Sequence, residues 1–331
     1  MPEPAIARLH SGGLVVNYVC SSACAHCSYR SSPRRDHAYI SEAAAAANCR
    51  VCRSLGCRSM HIGGGEPFLR PEGLKGALRA ARREGVAIEY VETNSSWFKD
   101  EDSAVVLLGE LQALGCDTLL VSIDPFHNEF IPFHKVKGVL RACRRAGMGI
   151  FPWVMDFYEE IDRLDDRVPH ALAEYEAAYG PGYLEDVLAR YRITLCGRAV
   201  DTFGPLLPRQ TAPAVLAAAP RSCPRLLGTG HFHLDLYGLY VPPGCVGLAV
   251  RREHLGQPLD RATYPLFRTL LERGVNGLHE LAAGLGYRPG REYAGECDLC
   301  ADLRAFLAAS HPDRFPELAP REFYTADRRE T

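Results

Sequence analysis

Three cysteines lie within eight residues near the start of the chain, at Cys20, Cys24 and Cys27, in a C-x3-C-x2-C pattern. Thiolates at this spacing can bind a metal centre from one short loop. Iron–sulfur clusters normally take four cysteine ligands, so three leave one iron of a cubane cluster open to a small molecule. A zinc site or a structural thiol site is the alternative for the triplet alone.

A glycine run ends the second predicted strand. The segment comprises Gly63, Gly64, Gly65, Glu66 and Pro67. Because glycine has no Cβ, three in succession let the backbone approach a ligand closely. Glu66 can then accept a charge-assisted hydrogen bond from an ammonium group. A glycine run alone more often marks a turn, so its weight comes from its combination with the triplet.

Together these motifs resemble the radical S-adenosylmethionine (SAM) enzyme superfamily, whose signature is C-x3-C-x-aromatic-C after the first barrel strand. His26 occupies the usually aromatic position. The resemblance implies that Cys20, Cys24 and Cys27 hold a [4Fe–4S] cluster and that residues 63–67 bind the methionine amino group of SAM. It also implies that SAM chelates the open iron and that His26 packs on this cofactor.

Polar residues end the next two predicted strands. Thr93 and Asn94 end one of them, while Ser122 and Asp124 end the other with equal parity and so point the same way. In the superfamily, polar residues at these places hydrogen-bond the ribose and the methionine carboxylate of SAM. The alternative is that Asp124 only starts a turn. His127 is a further candidate to face the substrate, although a loop histidine is more often structural.

Apolar strand-like runs alternate with amphipathic helical runs from about residue 13 to 196. This alternation implies a parallel sheet with helical crossovers. Strands are predicted at 14–19, 59–62, 88–92, 119–123, 149–155 and 192–196. Six units are too few for a closed eight-unit barrel. By resemblance the α/β fold is a partial (β/α)6 radical SAM barrel, with active-site groups at the C-terminal strand ends.

The composition changes after the sixth predicted strand. We assign residues 1–200 to the barrel, the proline-rich residues 201–222 to a linker, 223–310 to a second module and 311–331 to a loosely packed tail. The second module contains four cysteines, Cys223, Cys245, Cys297 and Cys300. Four thiolates suit either a tetrahedral zinc ion or a fully ligated [4Fe–4S] cluster.

The segment from His233 to Cys245 resembles the β-hairpin of the SPASM and Twitch modules found on radical SAM enzymes. Six residues separate Gly238 from Cys245, where that hairpin usually has four. With four cysteines the shorter Twitch form fits better, which implies a small α+β module with an auxiliary [4Fe–4S] cluster. Structural zinc remains the alternative.

Cys196 ends the sixth predicted strand and Arg198 follows it, so both are candidate catalytic residues. A thiol at Cys196 can donate a hydrogen atom to a substrate radical, and Arg192 or Arg198 can orient an anionic group of the substrate or of SAM. The alternating residues His231, His233 and Asp235 share one face, which we interpret as a polar hairpin face rather than a metal site. The remaining cysteines are interpreted as core residues; they are Cys49, Cys52, Cys57, Cys116 and Cys143.

The formal net charge of −2 gives no field that points to nucleic acid or to an anionic membrane. No apolar run reaches the roughly 18 residues that a membrane helix needs. Thirteen cysteines without a recognisable export signal predict a reducing cytoplasm and metal ligation rather than disulfides.

By resemblance the chain is a radical SAM oxidoreductase. A reduced ferredoxin or flavodoxin supplies an electron, SAM is cleaved to a 5′-deoxyadenosyl radical, and that radical abstracts hydrogen from a C–H bond of a small molecule or a peptide. The auxiliary cluster then accepts an electron, which gives net oxidation. The alternatives are a redox-neutral epimerase that uses Cys196 as hydrogen donor, a peptide (RiPP) maturase, and a non-catalytic metal-binding scaffold.

Overall fold

The computed structural model of the chain describes residues 3–191 and 193–325. Its strands are β1 Ser11–Val15, β2 Ser59–Gly63, β3 Ala87–Thr93, β4 Thr118–Ser122, β5 Gly149–Trp153, β6 Gly230–Asp235, β7 Leu239–Val241 and β8 Val250–Arg251. Within the described residues they form one sheet in the order β5-β4-β3-β2-β1-β6-β7-β8. The α/β fold is therefore that of a partial barrel extended by a further module.

The helices in the first half of the chain are α1 Glu42–Ser54, α2 Pro71–Glu84, α3 Glu101–Ala113, α4 Pro125–Asn128, α5 Phe133–Ala146, α6 Tyr158–Asp162, α7 Leu172–Tyr179 and α8 Tyr183–Tyr191. Those in the second half are α9 Arg198–Phe203, α10 Ala212–Ala218, α11 Pro265–Gly284, α12 Glu296–Ser310 and α13 Glu322–Thr325. No helix in the described part of the chain combines the length and the apolar character that crossing a membrane requires.

Local sequence signals fix the ends of the first helices. The Ser41 hydroxyl accepts a hydrogen bond from the Ala44 amide at 3.1 Å and caps α1, and Gly56 follows that helix with φ +102°. Helix α2 begins at Pro71 and ends before Gly85, whose φ is +70°. Cap residues in the sequence therefore account for where α1 and α2 begin and end.

The strands β1 to β5 pair in parallel, each with the next along the chain. Their carboxyl ends consequently meet at one edge of the sheet, where the cysteine loop, the glycine run and the segments after β3 and β4 all begin. This common edge positions every residue of the first predicted site.

Among the described residues, the predicted sixth strand does not follow β5 in the parallel sheet. Residues 193–196 are irregular, and Arg192 lies outside the described residues. A further strand joins the sheet on the other side of β1, where β6 pairs in parallel with β1 and aligns Asp235 with Val15. Since an unpaired strand edge leaves N–H and C=O groups without partners, β6 supplies the partner that β1 would otherwise lack.

Part of the predicted linker is helical, because α9 spans Arg198–Phe203 and α10 spans Ala212–Ala218. The hairpin of β6 and β7 joins the barrel sheet directly, so strands of the predicted second module share hydrogen bonds with the first. The boundaries at 200, 222 and 310 remain predictions.

Candidate active site

The cysteine triplet lies on the loop that follows β1. Cys20 and Cys24 are 7% and 5% exposed, and Cys27 is partly buried. Burial raises the pKa of the Cys20 and Cys24 thiols above the ordinary value. Such thiols become thiolates by binding a metal, which deprotonates a coordinating thiol outright.

Hydrogen-bond donors already point at two of these sulfur atoms. The Ser22 amide donates to Cys20 Sγ at 3.4 Å, and the Asn94 side-chain amide donates to the same sulfur at 3.4 Å. The Ser31 amide donates to Cys27 Sγ at 3.3 Å. Donors of this kind stabilise negative charge on sulfur, so the loop suits three cluster ligands.

Arg198 donates three hydrogen bonds to backbone carbonyls of the cysteine loop. Its Nη1 donates to the carbonyl of Cys24 at 2.7 Å and its Nη2 to the carbonyl of Ser31 at 2.9 Å. The Arg198 amide also donates to the carbonyl of Cys27 at 3.0 Å. Arg198 is only 4% exposed, so in this structure its guanidinium positions the loop.

We expect Arg198→Ala to weaken cluster retention, because two buried carbonyls lose a charged donor. Hydrogen bonds to charged groups contribute about 1.5–3 kcal/mol each. Iron content after gel filtration and urea unfolding of the reconstituted protein measure the effect. Arg82→Ala is the matched control, since Arg82 is exposed and donates to the Ala113 carbonyl far from the loop. Equal iron retention in both variants would contradict the positioning role.

The glycine run connects β2 to the cysteine loop through backbone hydrogen bonds. The Gly65 amide donates to the carbonyl of Asn17 at 2.9 Å, and the Glu66 amide donates to the carbonyl of Val19 at 3.1 Å. Gly64 has φ +145°, and a Cβ on Gly65 would lie 1.9 Å from the Val19 carbonyl oxygen. The chain therefore requires glycine at both positions.

We expect Gly65→Ala to destabilise the fold by more than about 2 kcal/mol, because the methyl group collides with backbone that cannot move aside. Gly109→Ala is the matched control within α3. A Cβ there meets nothing within 4 Å, so this change should stabilise the helix by about 0.5–1 kcal/mol. Urea unfolding measures both variants, and shifts of the same sign would refute this explanation.

Glu66 is fully buried and accepts three hydrogen bonds. Its Oε1 accepts from the Phe68 amide at 3.0 Å and from Thr93 Oγ1 at 3.1 Å, and its Oε2 accepts from the Asn94 amide at 2.7 Å. Burial raises the pKa of Glu66 to about 7. An ionised carboxylate has about four lone-pair sites, so one remains for an ammonium group. Pro67 follows and begins a short 3₁₀ turn.

The polar residues predicted after β3 and β4 lie at the same edge. The Asn94 side chain donates to the hydroxyls of Ser21 and Ser22 at 3.0 and 3.2 Å, and thus ties β3 to the cysteine loop. Ser122 and Asn94 both line the pocket beside the triplet. Asp124 is 1% exposed and caps α4, where it accepts from the His127 amide at 2.9 Å.

His26, Asp124 and His127 form a compact polar cluster. Asp124 Oδ2 lies 2.7 Å from His127 Nδ1, and His26 Nε2 lies 3.1 Å from the Tyr191 hydroxyl. Burial alone would raise the pKa of Asp124 and lower that of His127. The attraction between their opposite charges and the hydrogen bond between them outweigh burial, so the pKa of Asp124 lies below its ordinary value and that of His127 above it. This is the one three-residue set, among the residues described, whose possible metal-ligand atoms all lie within 4.8 Å of one another.

A pocket of about 340 Å³ opens onto the triplet. The predicted residues that line it are Cys20, Cys24, His26, Cys27, Gly64, Gly65, Thr93, Asn94, Ser122 and His127, and His231 lines it as well. Residues that were not predicted line it as well, among them Tyr29, Tyr90, Glu92, Trp153 and Tyr191. Tyr90 and Glu92 alternate along β3, and this alternation was the available signal for them. Tyr191 ends a helix and gave no such signal.

His61 lies next to both Glu92 and His233. His61 Nε2 lies 3.8 Å from Glu92 Oε1 and 3.0 Å from His233 Nε2. Burial raises the pKa of Glu92 to about 7, with the charge of Glu66 adding to the effect, and lowers that of His61 to about 3. The Asp235 carboxylate has a different partner, since it accepts a hydrogen bond from the Tyr18 hydroxyl at 2.9 Å.

The second cysteine set lines another cavity, of about 380 Å³. Cys223 precedes β6, Cys245 lies in a turn after β7, and Cys297 and Cys300 occupy the first turns of α12. Free N–H groups at a helix N-terminus favour thiolates. The four residues predicted as ligands of one centre thus all line one cavity, although they are spread over 78 positions of the sequence.

Cys196 lines this second cavity and is absent from the lining of the first pocket. It is 5% exposed, and burial raises its pKa to about 11. Its thiol hydrogen-bonds Ser28, a neighbour of Cys27. Cys196 therefore lies in the partition between the two cysteine sets.

Comparisons with known proteins identify the domain. The model for the radical SAM superfamily matches residues 14–162. No curated protein sequence matches the chain.

Several solved structures resemble it at low identity. One is native anSMEcpe with bound AdoMet and the Cp18Cys peptide, at 16% identity and TM-score 0.39, covering 71% of this chain and 73% of that one. Another is BtrN in complex with AdoMet and 2-DOIA, at 15% identity and TM-score 0.44, covering 81% of this chain and 89% of that one. A third is Streptococcus suis SuiB bound to precursor peptide SuiA, at 12% identity and TM-score 0.36, covering 94% of this chain and 74% of that one.

The superfamily match agrees with the arrangement around the triplet. A domain of this kind implies a [4Fe–4S] cluster, SAM and SAM-dependent radical chemistry. The loop of Cys20, Cys24 and Cys27 and the glycine run both fall inside the matched range. The chain therefore carries a radical SAM superfamily domain over residues 14–162.

Proposed function

We propose that this radical SAM protein catalyses a net two-electron oxidation of a small molecule or a peptide. The observation that supports this most is the convergence of two separate cysteine sets on two separate pockets. Three cysteines suit a cluster with one open iron, and four suit a fully ligated cluster. The first centre would begin the reaction, and the second would collect the electron that the substrate releases.

Cys20, Cys24 and Cys27 would hold the first [4Fe–4S] cluster. The N–H donors on Cys20 and Cys27 favour the thiolate forms that ligation needs. Gly64 and Gly65 bring backbone without side chains to the same pocket, which suits the methionine end of SAM. When bound, the cluster and SAM supply a 5′-deoxyadenosyl radical that removes a hydrogen atom from an unactivated C–H bond.

The other pocket residues would orient the substrate and exclude competing hydrogen donors. Tyr90, Trp153 and Tyr191 give the pocket aromatic walls, and Trp153 Nε1 donates to the Tyr191 hydroxyl at 2.8 Å. Positioning is the main contribution that a protein makes to radical chemistry, because the radical itself is indiscriminate.

An oxidation removes a hydrogen atom, a proton and an electron from the substrate. Glu92 is proposed to accept the proton, since it lines the pocket and its pKa of about 7 suits a base near neutral pH. The hydrogen atom would go to the deoxyadenosyl radical that SAM supplies. An auxiliary [4Fe–4S] cluster held by Cys223, Cys245, Cys297 and Cys300 would accept the electron.

The redox-neutral alternative is epimerisation with Cys196 returning a hydrogen atom. Cys196 lines the second cavity rather than the first pocket, which favours oxidation over this route. Once a substrate is in hand, solvent deuterium in the product would support epimerisation. Oxidised product without solvent deuterium would support the dehydrogenase.

A reduced ferredoxin or flavodoxin is the proposed electron donor, and the cytoplasm is the proposed compartment. All thirteen cysteines are free, as a reducing compartment requires. Neither nucleic acid nor a membrane is a proposed partner, in keeping with the net charge of −2.

Iron analysis and electron paramagnetic resonance (EPR) of the anaerobically reconstituted chain test the two-cluster arrangement. We expect about eight irons per chain, from two [4Fe–4S] clusters. After reduction with dithionite, added SAM should change only the signal of the cluster with an open iron. Zinc in the second site, or a single iron signal, would contradict the proposed electron acceptor.

A further inference from the structure

Arg304 faces the second cavity from α12. It follows Cys297 by seven residues and Cys300 by four, so it lies on the same face of the helix as both cysteines. Arg304 is 5% exposed and lines the cavity with the four cysteines.

The contacts of Arg304 are to neutral groups and to sulfur. Its Nη1 donates to the carbonyl of Val246 at 2.9 Å, and its guanidinium also donates to the Cys300 thiol. Its Nε is buried without a hydrogen-bond partner among the residues described. A buried cation beside thiols is costly unless the thiols carry negative charge. Four thiolates around a metal centre supply such a charge.

Arg225 lines the same cavity but differs from Arg304 in its exposure to solvent. Its side chain is exposed, whereas that of Arg304 is buried. Solvent screens the charge of an exposed arginine, but a buried charge acts in a low-dielectric medium. The two arginines therefore offer a comparison between a buried and a screened cation at one site.

We propose that Arg304 is the positioning residue of the auxiliary cluster and that its buried positive charge raises the reduction potential of that cluster. This inference rests on the proposed function, which places a [4Fe–4S] cluster on the four cysteines. Reduction adds a negative charge, and a nearby cation stabilises the reduced state more than the oxidised one. Charge, hydrogen bonds to sulfur and burial all tune such potentials. Arg304 would thereby make the cluster a better electron acceptor.

Redox titration of the anaerobically reconstituted holoenzyme, followed by EPR, tests this inference. We expect the Arg304→Gln variant to lower the midpoint potential of the auxiliary cluster. The predicted loss is at least tenfold in the equilibrium constant for reduction, which is 59 mV for a one-electron couple. Arg225→Gln, the matched control, should leave the potential nearly unchanged. The signal that responds to SAM should not move in either variant.

Arg304→Lys covers the case in which the glutamine variant fails to assemble. Lysine keeps the charge but lacks the fork that bonds Val246 and Cys300 together, so the potential should fall by less than in Arg304→Gln. A potential at or above the wild-type value in either variant overturns the inference. So does loss of the cluster from both variants, which would make Arg304 only structural.

Metal analysis of the wild type separates this failure from that of the proposed function. Zinc on the four cysteines overturns both. Iron on the four cysteines with an unchanged potential in Arg304→Gln overturns this inference alone.

Discussion

A Cys24→Ala variant is expected to lose formation of 5′-deoxyadenosine from SAM completely. Cys24 is the central member of the triplet, 5% exposed, and lies on a loop whose carbonyl at this residue is held by Arg198. With two thiolates in place of three, the loop cannot hold a cubane cluster through three irons. Chromatographic measurement of 5′-deoxyadenosine after reconstitution and reduction with dithionite gives the readout.

Cys52→Ala is the matched control for this change. Cys52 belongs to a C-x2-C pair in α1, is fully buried, and is assigned to the core. Its substitution removes one sulfur from the packing and should leave SAM cleavage intact. Cleavage in Cys24→Ala at the control level would show that the triplet is not the cluster site. Loss in Cys52→Ala alone would point to the helical pair instead.

A Cys297→Ala variant is expected to lose the proposed auxiliary cluster and keep SAM cleavage. Cys297 is the exposed member of the second set and lies at the start of α12. Removing it breaks a four-cysteine site without opening a cavity in the core. Iron content should fall from about eight to about four per chain. Substrate oxidation should fall with it, because the released electron loses its acceptor.

Cys143→Ala serves as the control for the second site. Cys143 is fully buried on the apolar face of α5 and lies outside both pockets. It should retain about eight irons. Full iron content in Cys297→Ala would contradict an auxiliary cluster on these cysteines, and joint loss of SAM cleavage would contradict the separation of the two sites.

Motifs whose chemistry depends on local spacing were predictable from the sequence. Cys20, Cys24 and Cys27 lie on one loop, and the φ of +145° at Gly64 is a backbone conformation that favours glycine. The alternation of strands and helices likewise predicted five parallel strands, because the apolar pattern repeats along the chain. The first of them, β1, ends at Val15 and not at the predicted residue 19.

Features set by distant contacts were not predictable in the same way. The sixth strand was expected at 192–196, but β6 at Gly230–Asp235 pairs with β1 because that edge was free. Arg198 was predicted as a candidate to orient an anionic group of the substrate or of SAM, and its guanidinium donates to the carbonyls of Cys24 and Ser31 in the cysteine loop. Tyr191 enters the pocket from the end of α8, and no local pattern in the sequence indicates that contact.

The most direct test of the central claim is the fate of SAM on the reconstituted chain. Under anaerobic conditions with dithionite, the account predicts 5′-deoxyadenosine and methionine in equal amounts, with none formed when the reductant is left out. Intact SAM under every reducing condition, in a protein that carries its full complement of iron, would contradict it.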